Sequence, residues 1–507
     1  MQQDYITDIT YLSGYFPELS VPRLMLCLLA AGQGHSVGTE PSYLELGYGQ
    51  GLSLAVHAAA LAGYYVGTDF NAAHAANAQT LVQPISRPVE IYDDSFESLA
   101  ARPELDMFDV VVLHGIWSWV SAESRQAIID IASRHLRPGG ILYVSYNAIP
   151  GWSPGLPLRH LMNEYAQREA TGPLLARVEQ SIEFASQLAS TGARYFTVNP
   201  QMDERLTHIR GSDRQYLAHE FFNQHWLPMA FSDVAGSMSQ AKLGFAASAS
   251  LIENLESIYL SSESAALLGG ISNPILRETT RDYVINQQFR RDIYVKGART
   301  LSPSELRFQR LTFPFVVLGA TEEAPASVMT PLGSANLRTE IYGPLAQALF
   351  KFAGQRVSLQ QVKVDAAVAD IPIEQLWEAM LVLVAAGWLS PCPMQPPAQE
   401  ALANALAFNR ALAARAVHTE EAGALAAPAI GAGLPVSRFD LLFLHAHLVN
   451  EPSAPAFINE LLIADGRRLL VNGKPVEDDA AQLAVLADMQ DRFRSDLLPR
   501  LERLGAI

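Results

Sequence analysis

The chain has 507 residues, 49% apolar and 17% charged, with a formal net charge of −16, so it is too long for one core, too apolar for disorder, and is expected to fold as two to four domains. Such an acidic chain lacks the basic face that nucleic acid or anionic lipid requires, and two distant cysteines, Cys27 and Cys392, exclude a disulfide framework or a thiolate zinc site. With no secretory leader and no apolar run of about twenty residues, the reading is a cytoplasmic protein with no nucleic-acid partner and no membrane insertion.

An aromatic-rich opening (Tyr5, Tyr11, Tyr15, Phe16) precedes a helix, VPRLMLCLLAAG, with Pro22 near its start and Gly32 at its stop. The stretch YLELGYGQG follows at 43–51. Its apolar run ends in Gly47, Gly49 and Gly51, and LSLAVHAAALA continues as a helix. Strand, glycine loop and helix in that order form a ligand cradle, because backbone approaches closely where no Cβ intervenes and a helix start offers free N–H groups. A second strand, YYVGTD, ends at Asp69, the place where nucleotide-binding α/β folds accept hydrogen bonds from ribose hydroxyls. Phe70 beside it is placed to lie against an adenine face. A third strand, PVEIYDD, closes in Asp93, Asp94 and Ser95.

The fourth strand, FDVVVLHG (108–115), is a buried parallel type, apolar on both faces. A helix, SAESRQAIIDIASRHL, runs into LRPGG and the fifth strand, ILYVSYN (141–147). This alternation predicts a parallel α/β sheet with right-handed crossovers, and ligands bind beyond the carboxyl ends of its strands. Residues 151–190 read as two helices, and strands beginning at Leu243 and spanning 290–297 return to the sheet as its sixth and seventh members. From 305 the pattern resets to a short strand and three helices, winged-helix-like. The third of these helices carries two acids and no Lys or Arg, which suits packing or protein contact rather than DNA reading. The Ala- and Pro-rich stretch 394–436 reads as a connector with one helix, and a last helix falls near 479–503.

The expected organisation is therefore five parts. A cofactor-binding core occupies 1–155, a helical insertion (cap or homodimer contact) 156–225, and the rest of the core 226–304. A winged-helix-like module covers 305–393 and a helical C-terminal region 394–507.

The loop spacing is G-x-G-x-G, with Leu52 where a dinucleotide fingerprint needs glycine and with Glu45 two residues before the first glycine. That E-L-G-x-G-x-G, with the acid of GTDF, the VVVLHG strand and LRPGG, resembles class I S-adenosylmethionine-dependent methyltransferases, whose core is a seven-stranded Rossmann-like sheet. HGIWSWV, LYVSYNAIPGW and RRDIYVKG narrow the resemblance to bacterial methyltransferases with a regulatory domain, a group that includes rickettsial protein-lysine methyltransferases acting on an outer-membrane protein. By that resemblance the cofactor is S-adenosylmethionine. Gly47, Gly49 and Gly51 line its methionine part with Glu45, Asp69 meets the ribose beside Phe70, Asp94 and Ser95 border the adenine, and His114 and Gly115 close the sulfonium side.

The reaction implied is in-line methyl transfer to a protein lysine amine. Trp117, Trp119, Tyr146, Asn147 and Trp152 follow the fourth and fifth strands, at the edge where an amine would be buried among aromatic and neutral groups. Trp117 and Trp119 alternate, so at most one faces the cofactor, and His114 is read either as a base or as a contact residue. The histidines are scattered and form no HExxH, so no metal is expected. A small-molecule acceptor, or a scaffold with a vestigial core, are the competing readings.

Overall fold

The computed structural model describes residues 14–223, 225–419, 423–471 and 473–507. Tyr5 and Tyr11 of the aromatic opening lie outside them. Helix α1 (Val21–Ala30) precedes β1 (Ser42–Leu46), α2 (Leu52–Ala60), β2 (Tyr64–Thr68), α3 (Ala72–Val82) and β3 (Val89–Tyr92). Next come β4 (Phe108–Leu113), α4 (Ala122–His135) and β5 (Leu136–Asn147), and after the insertion β6 (Leu243–Ser248) and β7 (Phe289–Lys296). The seven strands form one sheet in the order β3-β2-β1-β4-β5-β7-β6. The first five run parallel, whereas β7 runs antiparallel to both β5 and β6. The expectation of a wholly parallel sheet is corrected there: β7 enters the sheet from the edge where the parallel strands end. It thereby brings its first residues to the ligand side.

Both faces are buried, and side chains alternate between them with the period of two that a strand imposes. Tyr43, Val110, Val112, Tyr143 and Ile293 face one core; Leu44, Val111, Leu113, Val144 and Tyr146 face the other. The insertion does fold as helices, including Leu156–Arg168, Leu174–Ser190 and Gln201–Gly211, around a small core of its own with Met162, Ile182 and Leu206 at its centre.

Beyond 304, strands Pro314–Val317, Arg356–Ser358 and Leu389–Pro391 make a three-stranded antiparallel sheet against helices Thr339–Phe350 and Ile373–Ala385, with a hairpin at 327–336. The stretch expected as a connector holds its helix, α5 (Gln399–Arg415), but also a hairpin, β8 (Gly423–Ala427) with β9 (Ala432–Val436). Eight of the ten residues in these strands are Ala, Gly or Leu, and only Val436 is one of the β-branched residues that mark a strand in sequence.

That hairpin and α5 lie on α2, whose nine residues are all buried. A Cβ on Gly433 would stand 2.6 Å from Val56 Cγ1, so only glycine permits this approach. Asn409, on α5, is fully buried: its Nδ2 donates to the carbonyls of Ala426 (2.9 Å) and Ala506 (2.7 Å), and its Oδ1 accepts from Ala426 N–H (2.8 Å). Asn409→Ala strands these groups, at about 1–3 kcal/mol for a buried unpaired group. The expected outcome is a lower thermal midpoint with the fold retained, measured by calorimetry against Ala→Gly controls on exposed helix sites.

Candidate active site

The strand order converts the carboxyl edge of the sheet into a linear scale. From β3 to β7 the tips carry Asp93 and Asp94, then Asp69, then Glu45 with the glycine loop, then His114 and Gly115, then Asn147, then Gln288 and Phe289. At roughly 4.8 Å per strand the span is about 24 Å. One cleft of about 620 Å³ runs along it, and all of these residues line it. Among the described lining residues the carboxylates come from the β1–β3 side (Glu45, Asp69, Asp93, Asp94, Glu97), whereas Trp119, Asn147, Trp152 and Phe289 supply aromatic and amide groups on the β4–β7 side.

On the acidic side the loop glycines have φ of 74°, 58° and 83° at Gly47, Gly49 and Gly51, the left-handed region. The Asp69 carboxylate holds the loop in place: Oδ2 accepts from Gly49 N–H and Oδ1 from Asn71 N–H, both at 3.0 Å, and His74 Nδ1 lies 3.1 Å from Oδ1. Asp94 pairs with Arg102, and the Ser95 hydroxyl caps the short helix Phe96–Ala100 by accepting from Ser98 N–H. Both border the cleft with their side chains already engaged. Phe70, also lining it, is 39% exposed.

Glu45 is 4% exposed, and its Oε2 has no hydrogen-bond partner. Burial pushes its carboxyl up to about 8, with the Tyr43 hydroxyl offsetting part of the rise. On the neutral side His114 Nδ1 is 2.8 Å from the Tyr143 hydroxyl, and the Phe16 ring stacks on the imidazole with centroids 3.9 Å apart. Burial holds the His114 imidazole down to about 4, so it is neutral at pH 7.

Four residues expected to act in catalysis separate here. Asn147 and His114 line the cleft. Tyr146 does not: one residue earlier on β5, it points through the sheet and donates to Asp292 Oδ2 at 2.7 Å. Trp117 is 1% exposed in the core on that same side, and Trp119 lines the cleft instead. Sequence reasoning missed Phe16, His74, Gln288 and Phe289 as cleft residues. His74 was the most findable, on the first turn of the helix after Asp69. Trp152 is held edge-on to Trp226 (4.9 Å) with the Arg205 guanidinium 4.2 Å over it, so the insertion's helix at 201–211 buttresses this wall.

Comparison with known proteins agrees with this layout. The family described as "Methyltransferase domain" matches residues 44–140, and that described as "Predicted methyltransferase regulatory domain" matches 213–296. An uncharacterized protein of Synechocystis sp. is 32% identical over 507 residues, 99% of this chain and 99% of that one. The chain belongs to the S-adenosylmethionine-dependent methyltransferases that carry this regulatory domain. An uncharacterized protein of Rickettsia prowazekii is 27% identical over 195 residues, covering 36% of this chain and 35% of that one. PKMT2 from Rickettsia typhi, solved in complex with AdoHcy, shares the fold with a TM-score of 0.68 at 17% identity, over 97% of this chain and 99% of that one.

The cleft of this methyltransferase fits its methyl donor on two counts. A Cβ added at Gly49 or Gly115 would meet nothing within 4 Å, so both backbones face open space that a ligand can approach. The unpaired Glu45 oxygen is a buried hydrogen-bond acceptor in a protein whose donor carries an ammonium group. Among the described residues no His, Cys, Asp or Glu cluster suits a metal, and no helix is long and apolar enough to cross a membrane.

Glu45 also gives a test on the ligand-free protein. Its pKa is raised from the ordinary carboxylate range to about 8 on folding, so its contribution to stability is full below the unfolded value and lost as pH rises through about 8. Glu45→Gln removes that slope. Thermal midpoints measured from pH 5 to 8.5 should favour the variant increasingly with pH, and parallel curves would refute a buried, protonated Glu45.

Proposed function

We propose that this methyltransferase transfers a methyl group to the side-chain amine of a lysine in a protein. The observation that carries the reading is the neutral wall at the β4–β7 end of the cleft. A lysine ammonium must lose a proton before it can attack, which is costly from an ordinary pKa of about 10.4. Enclosure by Trp119, Trp152 and Phe289, with no carboxylate from this side of the lining, disfavours the charged form and lowers that cost. Asn147 is 3% exposed, with Nδ2 unpaired; its carboxamide is free to hydrogen-bond the amine and fix the direction of its lone pair. The sequence resemblance to rickettsial protein-lysine methyltransferases, and the end-to-end likeness in fold to PKMT2, support the same acceptor class.

In this reading the bound donor supplies an electrophilic methyl carbon activated by its sulfonium. The residues at the β1–β3 tips hold the rest of it. Glu45, with Gly47, Gly49 and Gly51, receives the amino-acid end and its positive charge, Asp69 has remaining lone pairs for ribose hydroxyls, and Phe70, Asp94 and Ser95 border the base. The amine nitrogen forms its N–C bond as the C–S bond breaks, and the proton it sheds leaves to solvent. Aromatic faces then suit the methylated ammonium by cation–π attraction. Positioning and exclusion of water provide most of the rate.

Labelled donor incubated with enzyme and cell lysate, followed by mass spectrometry, should place the label on lysine residues. Label confined to the low-molecular-weight fraction would sink the protein-acceptor reading. In titration calorimetry Asp69→Ala should lose saturable donor binding, whereas Asn147→Ala should keep it and lower kcat by roughly 10- to 100-fold.

A further inference from the structure

His114 is read from sequence as a base or a contact residue, and the hydrogen bonds around it decide between the two. Tyr143, Ser145 and Asn147 alternate on one face of β5, next to the β4 tip that carries His114 and Gly115. Gly115 N–H donates to Ser145 Oγ at 2.8 Å. The Ser145 side chain is thereby engaged with the β4 tip. Tyr143 is fully buried, and His114 Nδ1 at 2.8 Å is the acceptor within reach of its hydroxyl. If Nδ1–H donated to Tyr143 instead, the buried phenolic proton would lose that acceptor. A buried hydroxyl seldom stays unsatisfied.

We infer that Tyr143 fixes His114 as the tautomer protonated on Nε2, so that it presents an N–H donor to the cleft and recognises an acceptor oxygen instead of taking a proton. Two residues on one face of β5 thus hold the β4 tip: Ser145 Oγ accepts from Gly115 N–H, and Tyr143 O–H meets His114 Nδ1. Phe16 on one face of the ring and Phe289 edge-on at 5.9 Å hold its plane. The low affinity of the imidazole for a second proton agrees with this assignment. Tyr143 is thus a positioning residue for His114. The oxygen is a carboxylate or carbonyl, borne either by the amino-acid end of the donor or by the main chain of the acceptor. This inference rests on the donor site proposed above.

Nitrogen-15 NMR of histidine-labelled, ligand-free protein at pH 7, with His114→Gln to assign the signal, should show Nε2 protonated and Nδ1 bare. Tyr143→Phe, which keeps the ring volume, should shift the ratio toward the Nδ1-protonated tautomer. An Nδ1-protonated ring in the parent, or an unchanged ratio in Tyr143→Phe, overturns the inference. His114→Phe should weaken S-adenosylhomocysteine by roughly tenfold while leaving methylthioadenosine, which lacks the amino-acid end, unaffected; that outcome assigns the oxygen to the donor. Equal affinities with a raised KM for the protein acceptor assign it to the acceptor. No change in any of these overturns the donor role. Failure of the parent protein to bind S-adenosylhomocysteine at all would instead count against the function proposed above.

Discussion

Three left-handed residues in a span of five, Gly47, Gly49 and Gly51, set the position of nearly everything else in the core. A Cβ at Gly47 would stand 2.3 Å from Ile116 Cδ1, beyond the tip of β4, and one at Gly51 would stand 2.5 Å from the Ala78 Cβ on α3. The loop is therefore wedged between the neighbouring strand tip and the neighbouring helix, with no room for a side chain at either end. Only the middle glycine looks onto open space. The Asp69 carboxylate fastens that middle glycine by its N–H, so the acid at the second strand tip shapes the cradle as well as lining it.

The stretch matched as a regulatory domain is not peripheral to this arrangement. It supplies β6 and β7, hence two of the seven strands, and with Gln288 and Phe289 it forms one wall of the cleft. Beneath that wall Arg290 is buried between Asp282 and Asp292, and Asp292 accepts the Tyr146 hydroxyl. A charge so enclosed is tolerated because the carboxylates of Asp282, Asp292 and Glu278 all surround it. The tip of β5 is thereby tied to the helix Pro274–Ile285, which lies in that same stretch.

Much of this was legible in the sequence because parallel buried strands are continuous apolar runs, and FDVVVLHG and ILYVSYN cannot be mistaken for anything amphipathic. The side of the sheet each residue faces is a finer matter. Tyr146 and Asn147 are neighbours on one strand, so one had to turn away, and nothing local says which; the register with β7 decides it. Trp117 and Trp119 divide between core and cleft in the same manner, each two residues apart but on a turn rather than a strand. Phe16, Gln288 and Phe289 reach the cleft through contacts with residues far away in the chain, such as Phe16 with His114 and Gln288 with Ala148, which no local pattern records. The hairpin at 423–436 escaped because its small residues make a strand only when pressed against another surface.

That surface is α2, and its composition sets an order of events during synthesis. LSLAVHAAA has no polar face to leave in water, and its outer side is covered by α5 and the hairpin, made several hundred residues later. At roughly 5–20 residues per second the wait is on the order of tens of seconds. Through that interval the nascent methyl-donor cradle carries a bare apolar helix and a glycine loop that Arg415 has yet to reach through Asn77, whose amide holds the Gln50 carbonyl. The ribosome thus delivers the first part of the site early and its brace last.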